Sequence, residues 1–335
     1  MNADNPSEYW LTLIETGGNQ NHIFNTNKLA QNVGASQQLW AITQEDLLAI
    51  ARNGKWLPEL KTIDDIRCET KNPPIELCDP AGKPNQLEVW YLSSGKALLL
   101  TRSRAVAREI VSAVTRKALR YYPGVVVRGA ICRVEAWTAI GLNDAVRAVH
   151  KKMESHKNRL IPAESRFQTL PFVQPCVHSG LPASLRSNQS DKPDDTKACS
   201  TIVHKKLAAA DDGRERMNKL LPAELQFSAS LSDLDNCLSF ERLIAVIHAD
   251  GTGIGKLLQA LAPKYNEGAR SHLQKLRAFS MSLDNVARKA CTQALEELAK
   301  LDPRAALQSG TSSSLEVSAG GFAVCRHQTA SSGVT

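Results

Sequence analysis

An α+β fold with two antiparallel sheets is what this sequence predicts, and three observations predict it. Short β-rich runs occur in hairpin pairs, segments with helical spacing separate them, and the second half repeats the opening of the first. Trp10 to Glu15 is an apolar, β-capable run that ends in a carboxylate and meets a Gly/Asn-rich loop, Thr16 to Asn21. Asn25, Thr26 and Asn27 offer caps for a helix over Lys28 to Ile42, where Leu29, Val33 and Leu39 contribute to one apolar face. Residues 51 to 86 mix charge, proline and isolated cysteines without a period and read as irregular. Leu87 to Leu92 and Lys96 to Leu100 form a hairpin around Ser93-Ser94-Gly95. Val106, Ile110, Val111, Val114 and Leu119 give Arg104 to Tyr121 helical spacing, Pro123-Gly124 stops that helix, and Val125 to Val134 is another strand. Strand, helix, hairpin, helix, strand is the order of a ferredoxin-like domain, an antiparallel sheet with helices on one face.

From His156 to Asp235 the chain is rich in Pro, Ser, Asp and Lys, and Ser184 to Cys199 has few large apolar residues, which predicts an inter-domain region with a flexible loop. Order is expected again at Leu243 to His248, a strand running into the glycine-rich segment Ala249 to Lys256. A long amphipathic helix fits Ala269 to Leu301. Leu315 to Val317 then leads through Ser318-Ala319-Gly320-Gly321 into Phe322-Ala323-Val324. The expected division is a first ferredoxin-like domain over 1–155, a linker or insert over 156–240, and a second such domain over 241–335. After Val324 the chain reads CRHQTASSGVT without a closing strand, so the second domain is expected to be incomplete at its C-terminus, as a truncated copy or a fragment completed by another chain.

The chain has 335 residues, 42% of them hydrophobic, enough for two globular units and a linker. No apolar run is long enough to span a bilayer and the N-terminus lacks the order of a secretory signal, so the expectation is a cytoplasmic protein with no membrane partner. Eight cysteines between Cys68 and Cys325 include no CxxC pair, and reduced thiols are expected. A net charge of +7 suits phosphate-bearing partners.

Chemistry concentrates at Asp250-Gly251-Thr252-Gly253-Ile254-Gly255-Lys256. A carboxylate at a strand end can hold a divalent metal, glycines let phosphates approach the backbone, and a lysine at the start of a helix neutralises them. The same residues also read as a glycine-rich turn with Asp250 capping the helix. Gly251, Gly253 and Gly255 do not have dinucleotide-binding spacing, and no Walker loop occurs. Glu15 stands at the corresponding strand end of the first domain, as a metal ligand or as an acceptor for its own loop. The hairpin tip opposite, Ser93-Ser94-Gly95-Lys96, has no acid, which makes this domain a binding or pairing partner. Cys176, His178, Cys199 and His204 form one candidate zinc set, with unrelated side chains as the other reading. Arg147, His150, Lys151, Lys152, His156, Lys157 and Arg159 form a basic run that suits RNA or plain solvation.

The run from His248 to Leu257, the helix with Phe279-Ser280 and Leu283-Asp284, and Gly320-Gly321 resemble the second palm of the large polymerase/cyclase-like subunit of type III CRISPR effectors, which is related to GGDEF-type nucleotidyl cyclases. Glu15 to Gln20, Asn27 to Leu29 and Asn32 to Ser36 resemble the first half of stand-alone bacterial proteins with the same palm architecture. The resemblance implies antiviral defence, a nucleoside triphosphate (ATP or GTP) and Mg or Mn at Asp250 as the catalytic residue. Gly251, Thr252, Gly253, Gly255, Lys256, Gly320 and Gly321 would surround the nucleotide. It also allows zinc between palms, RNA, and a second copy or a defence-system protein as partners. The family's hairpin reads GGDD, whereas Phe322 follows Gly321 here, so two-metal phosphoryl transfer loses ligands. A nucleotidyl cyclase or oligonucleotide synthase, a non-enzymatic nucleotide or RNA sensor, and an inactive remnant all stay open at this point.

Overall fold

The computed structural model describes residues 8–93, 95–157, 162–188, 196–219, 221, 225–227, 253–264, 266–300, 317–319 and 322–326. Its main sheet is made by β1 (Tyr9–Gly17), β2 (Leu87–Ser93), β3 (Lys96–Thr101) and β4 (Val126–Val134) in the order β2-β3-β1-β4, antiparallel throughout. Between β1 and β2 lie α1 (Asn19–Phe24), α2 (Leu29–Thr43) and α3 (Glu45–Asn53); α4 (Arg104–Tyr121) joins β3 to β4. This order and connectivity make the domain ferredoxin-like. The β2–β3 hairpin turns at Gly95, which adopts φ +82°, a conformation disfavoured for residues with a Cβ. Its N–H donates to Thr43 Oγ1 at 3.0 Å and its carbonyl accepts from Thr16 N at 2.8 Å. The hairpin tip is thereby tied to the ends of α2 and β1.

Leu39, Ile42, Leu47, Leu48, Ile110, Val114 and Ala118 of α2 to α4 pack with Ile14, Val89, Leu99 and Val127 on one face. Leu11, Leu13, Leu98, Leu100 and Ala130 belong to a second core, covered by Leu142, Val149 and Met153 of α5 (Ala139–Lys157) and by Leu273 of α9 (Ala269–Lys300). Helices therefore cover the expected face, and a further layer covers the other. A bulge between Val89 and Tyr91 breaks the two-residue alternation, so Trp90 and Tyr91 both join the second core.

The described residues of segment 156–240 include a hairpin of β5 (Leu185–Asn188) and β6 (Thr196–Cys199) followed by α6 (Thr201–Ala208) and α7 (Ala210–Asn218). Both helices pack on α2, which explains why that helix buries Gln31, Gln37 and Gln38 as well as its apolar residues. A Cβ on Gly34 of α2 would overlap the Lys206 carbonyl, so glycine sets the approach of α2 and α6. Beyond β7 (Leu225–Phe227), α8 (Ile254–Ala260) precedes α9, and β8 (Val317–Ala319) and β9 (Phe322–Arg326) form a sheet in the order β7-β9-β8. The predicted strand Leu243 to His248 lies outside the described residues.

Under α1, His22 is 4% exposed and its Nε2 donates to Gln38 Oε1 at 3.1 Å. Buried Lys206 donates to the His22 carbonyl at 2.5 Å and to Asn25 Oδ1 at 3.0 Å. Burial first, and then the Lys206 charge, hold the His22 imidazole down at about 4. An unfolded His22 takes up its proton near its ordinary value of 6.5 and the folded one only near 4, so stability is full above pH 6.5 and is lost as pH falls towards 4. Burial lowers Lys206 to about 8, so it keeps its charge throughout that window in both states and adds no slope there. Urea titrations at neutral and mildly acidic pH are expected to show that His22→Gln loses less stability on acidification than the parent, by on the order of 2 kcal/mol. Equal losses would contradict a buried neutral imidazole.

Candidate functional site

In the second half, Gly253 has φ +76° and its carbonyl accepts from Lys256 N at 3.0 Å and Leu257 N at 3.1 Å, opening α8. Gly255 lies within α8, and Lys256 is exposed. Ala319 pairs with Phe322, so Gly320 and Gly321 are the two positions between β8 and β9. Asp250, Gly251, Thr252, Gly320 and Gly321 themselves lie outside the described residues.

At the end of β1, Glu15 sits in register between Lys96 of β3 and Arg128 of β4. Gly17 has no room for a side chain, because a Cβ there would overlap the Arg128 guanidinium. Two cations flanking one carboxylate suit an anion better than a divalent metal, which needs several oxygen ligands. Among the described residues no group of three or more His, Cys, Asp or Glu is arranged to hold a metal ion. Cys176 and Cys199 do come together, in a small core with Val203. Burial pushes the Cys176 thiol up, but the Ser179 hydroxyl and the backbone N–H groups of His178, Ser200 and Ser179 outweigh it and bring the thiol down to about 7. His178 and His204 do not complete a set of three with these cysteines.

A cleft of about 440 Å³ opens between the β2 edge of the main sheet, the C-terminal end of α2, α7 and the middle of α9. Trp40, Trp90 and Tyr91 line it with Arg67, Arg216 and Arg288. The Arg216 guanidinium lies 4.6 Å from the centre of the Trp40 ring and its Nε donates to Gln37 Oε1 at 2.7 Å. Arg288 pairs with Asp284 at 2.7 Å. Two of the lining residues, 1% and 5% exposed, each carry a polar atom without a hydrogen-bond partner, the Trp90 indole N–H and Gln44 Oε1, and both atoms are closed off from the open space of the cleft. Such groups are costly when left unpaired, and here one is a donor and the other an acceptor. Burial, and then the Glu15 carboxylate, push the Tyr91 phenol up to about 12, so it stays protonated at neutral pH.

The α9 wall is held to the sheet by a buried ion cluster. Glu88 of β2, fully buried, accepts from Arg270 Nη1 and Arg277 Nη2, both at 2.7 Å, and from Ile75 N at 2.8 Å. Arg270 also pairs with Glu76, and Arg277 donates to the carbonyls of Val89 and Trp90 at 2.8 and 3.0 Å. The cleft lining comes from stretches around residues 40, 64, 90, 216 and 284, so no local motif announces it. Ser280, Leu283 and Asp284 are the part that the sequence resemblance includes.

No protein-family model matches this chain, and no curated protein matches it. Among solved structures, it is similar to a chain of an apo Csm1–Csm4 cassette, with 11% identity and a TM-score of 0.32 over 46% of this chain and 19% of that one. It is also similar to a chain of type III-B Cmr-beta in its apo state, with 12% identity and a TM-score of 0.35 over 61% of this chain and 32% of that one. The chain thus spans less than a third of the length of either, and likeness at such TM-scores assigns no function. No helix among the described residues is long and apolar enough to cross a membrane.

Proposed function

We propose that this chain is a nucleotide-binding palm-domain protein of CRISPR-like antiviral defence, descended from metal-dependent nucleotidyl cyclases or oligonucleotide synthases. One observation carries the nucleotide reading: the cleft combines aromatic side chains with the three arginines Arg67, Arg216 and Arg288. A nucleobase offers a flat face, which suits the Trp40 ring, while Arg67, Arg216 and Arg288 suit phosphates. The defence reading rests on the residue resemblance from His248 to Leu257 and on α9. Asp250 is the proposed Mg or Mn ligand, with Gly251, Thr252, Gly253, Gly255 and Lys256 near the phosphates and Gly320-Gly321 at the facing hairpin. A bound metal would neutralise phosphate charge there. Phe322 in place of an acid makes retained binding with little turnover the expected behaviour. A second copy or another defence protein is the proposed macromolecular partner.

The test is incubation of the full chain with labelled ATP or GTP and Mg²⁺ or Mn²⁺, following binding and product together. Expected are metal-strengthened binding that weakens in Asp250→Ala and little or no product. Failure to bind either nucleotide would overturn the proposal, and product that vanishes in Asp250→Ala would overturn the expectation of low turnover.

A further inference from the structure

Helix α4 presents Arg104, Arg108, Ser112, Arg116 and Arg120 at intervals of four residues, all exposed. Residues four apart are neighbours on a helix but each step of four turns about 40° further round the axis, so these five make one stripe that rises about 24 Å and winds about 160° diagonally across the exposed half of the helix. Ala107, Ile110, Val114 and Ala118 of the same helix are buried, which fixes the stripe outward. Arginines four residues apart repel, so the pairs 104/108 and 116/120 cost helix stability unless an anion compensates. The α4 ion pair from Lys117 to Asp46 at 3.1 Å does not involve the stripe, and among the described residues no carboxylate pairs with its arginines. Glu109 has Ala105 and Ala113 as its neighbours four positions away.

Both ends of the stripe meet an aromatic ring. Arg104 lies 5.6 Å from the centre of the Trp10 ring, and Arg120 and Lys117 lie 5.5 and 4.9 Å from that of Tyr121, a residue 42% exposed. Pairs of cations that rise about 6 Å along the axis, 104/108 and 116/120, with aromatic faces at the ends suit a sugar-phosphate chain with unpaired bases. A duplex is too stiff to wrap a row that winds about 160° round one helix and it hides its bases, whereas a flexible single strand can follow the stripe and stack at its ends.

We propose that the arginine stripe of α4 is a docking surface for single-stranded RNA, with the pairs Arg104/Arg108 and Arg116/Arg120 on phosphates either side of Ser112 and Trp10 and Tyr121 as base-stacking platforms. RNA is the choice over DNA because its bases are ordinarily presented unpaired in loops and single strands. None of the stripe residues lines the nucleotide cleft, so this surface stands or falls independently of that site.

The experiment is fluorescence anisotropy of labelled oligouridylate, about 15 nucleotides long, with the full chain between about 50 and 200 mM salt. Arg108→Glu with Arg116→Glu is expected to weaken binding about tenfold or more and to reduce the salt slope by about 1.4, two contacts at about 0.7 each. Arg147→Glu with Lys151→Glu, the same charge change on exposed residues of α5, is expected to weaken it less than about threefold. Arg108→Gln with Arg116→Gln, which introduces no new repulsion, is expected to lose about fourfold or more with an unchanged thermal midpoint, which separates lost contacts from lost fold. The proposal is overturned if the α4 and α5 variants lose affinity equally, if duplex RNA or single-stranded DNA binds more tightly, if oligoglutamate displaces the RNA at equal charge, or if oligouridylate is not bound.

Discussion

Glu88→Ala is expected to lower stability by roughly 3–5 kcal/mol, the cost of leaving buried charge without its partner. Glu88 is fully buried and accepts from Arg270, Arg277 and Ile75 N. Truncation orphans a backbone N–H and leaves Arg277, whose side chain is only 11% exposed, with carbonyls alone as acceptors. Arg270 keeps Glu76, and Glu88 and Glu76 together hold its guanidinium charged against the opposing effect of burial. Because both arginines come from α9 and Glu88 comes from β2, the loss is expected to act on the docking of α9. Urea denaturation gives the magnitude, and limited proteolysis should cut between residues 269 and 300 in the variant at protease levels the parent withstands. Replacing Glu88, Arg270 and Arg277 together by Met, Leu and Met should cost less than Glu88→Ala alone, since the charge then left without its partner is Glu76, which is 25% exposed and reaches water. A triple variant less stable than the single one would mean that the cluster itself stabilises the domain.

The first domain was legible because each of its signals is local. Helix α4 was readable to the residue, since Ser103 caps Val106 N and Pro123-Gly124 ends the run. The Gly95 turn fixed the hairpin, and the continuous apolar, β-capable runs of β1 and β3 gave the strands. The bulge at Trp90 was not legible, because consecutive apolar residues in β2 fit either face. Nor was the packing of α6 and α7 on α2, whose only local trace is glycine at 34 and 213, where a Cβ would meet the neighbouring helix. Charged residues hid the docking of α9: Arg270 and Arg277 read as solvated positions, yet their partner is a buried glutamate far away in sequence. The same distance effect concealed the cleft, since Gln44, Trp90 and Arg216 have nothing in common until the chain folds. The arginine stripe, by contrast, is written in the sequence at a period of four, and it takes the exposure of those side chains to give it meaning.

The cleft carries the central claim, and calorimetric titration of the full chain with ATP and with GTP tests it most directly. Arg216→Met keeps most of the side-chain volume and removes the guanidinium stacked on Trp40; Arg288→Met likewise removes the guanidinium paired with Asp284. A hydrogen bond to a charged group contributes roughly 1.5–3 kcal/mol, so the double variant, which loses two, should bind about a hundredfold more weakly or worse, with its thermal midpoint checked separately. One nucleotide bound per chain with that loss is the predicted result. No heat of binding from either nucleotide, or an affinity that the two substitutions leave unchanged, would contradict it.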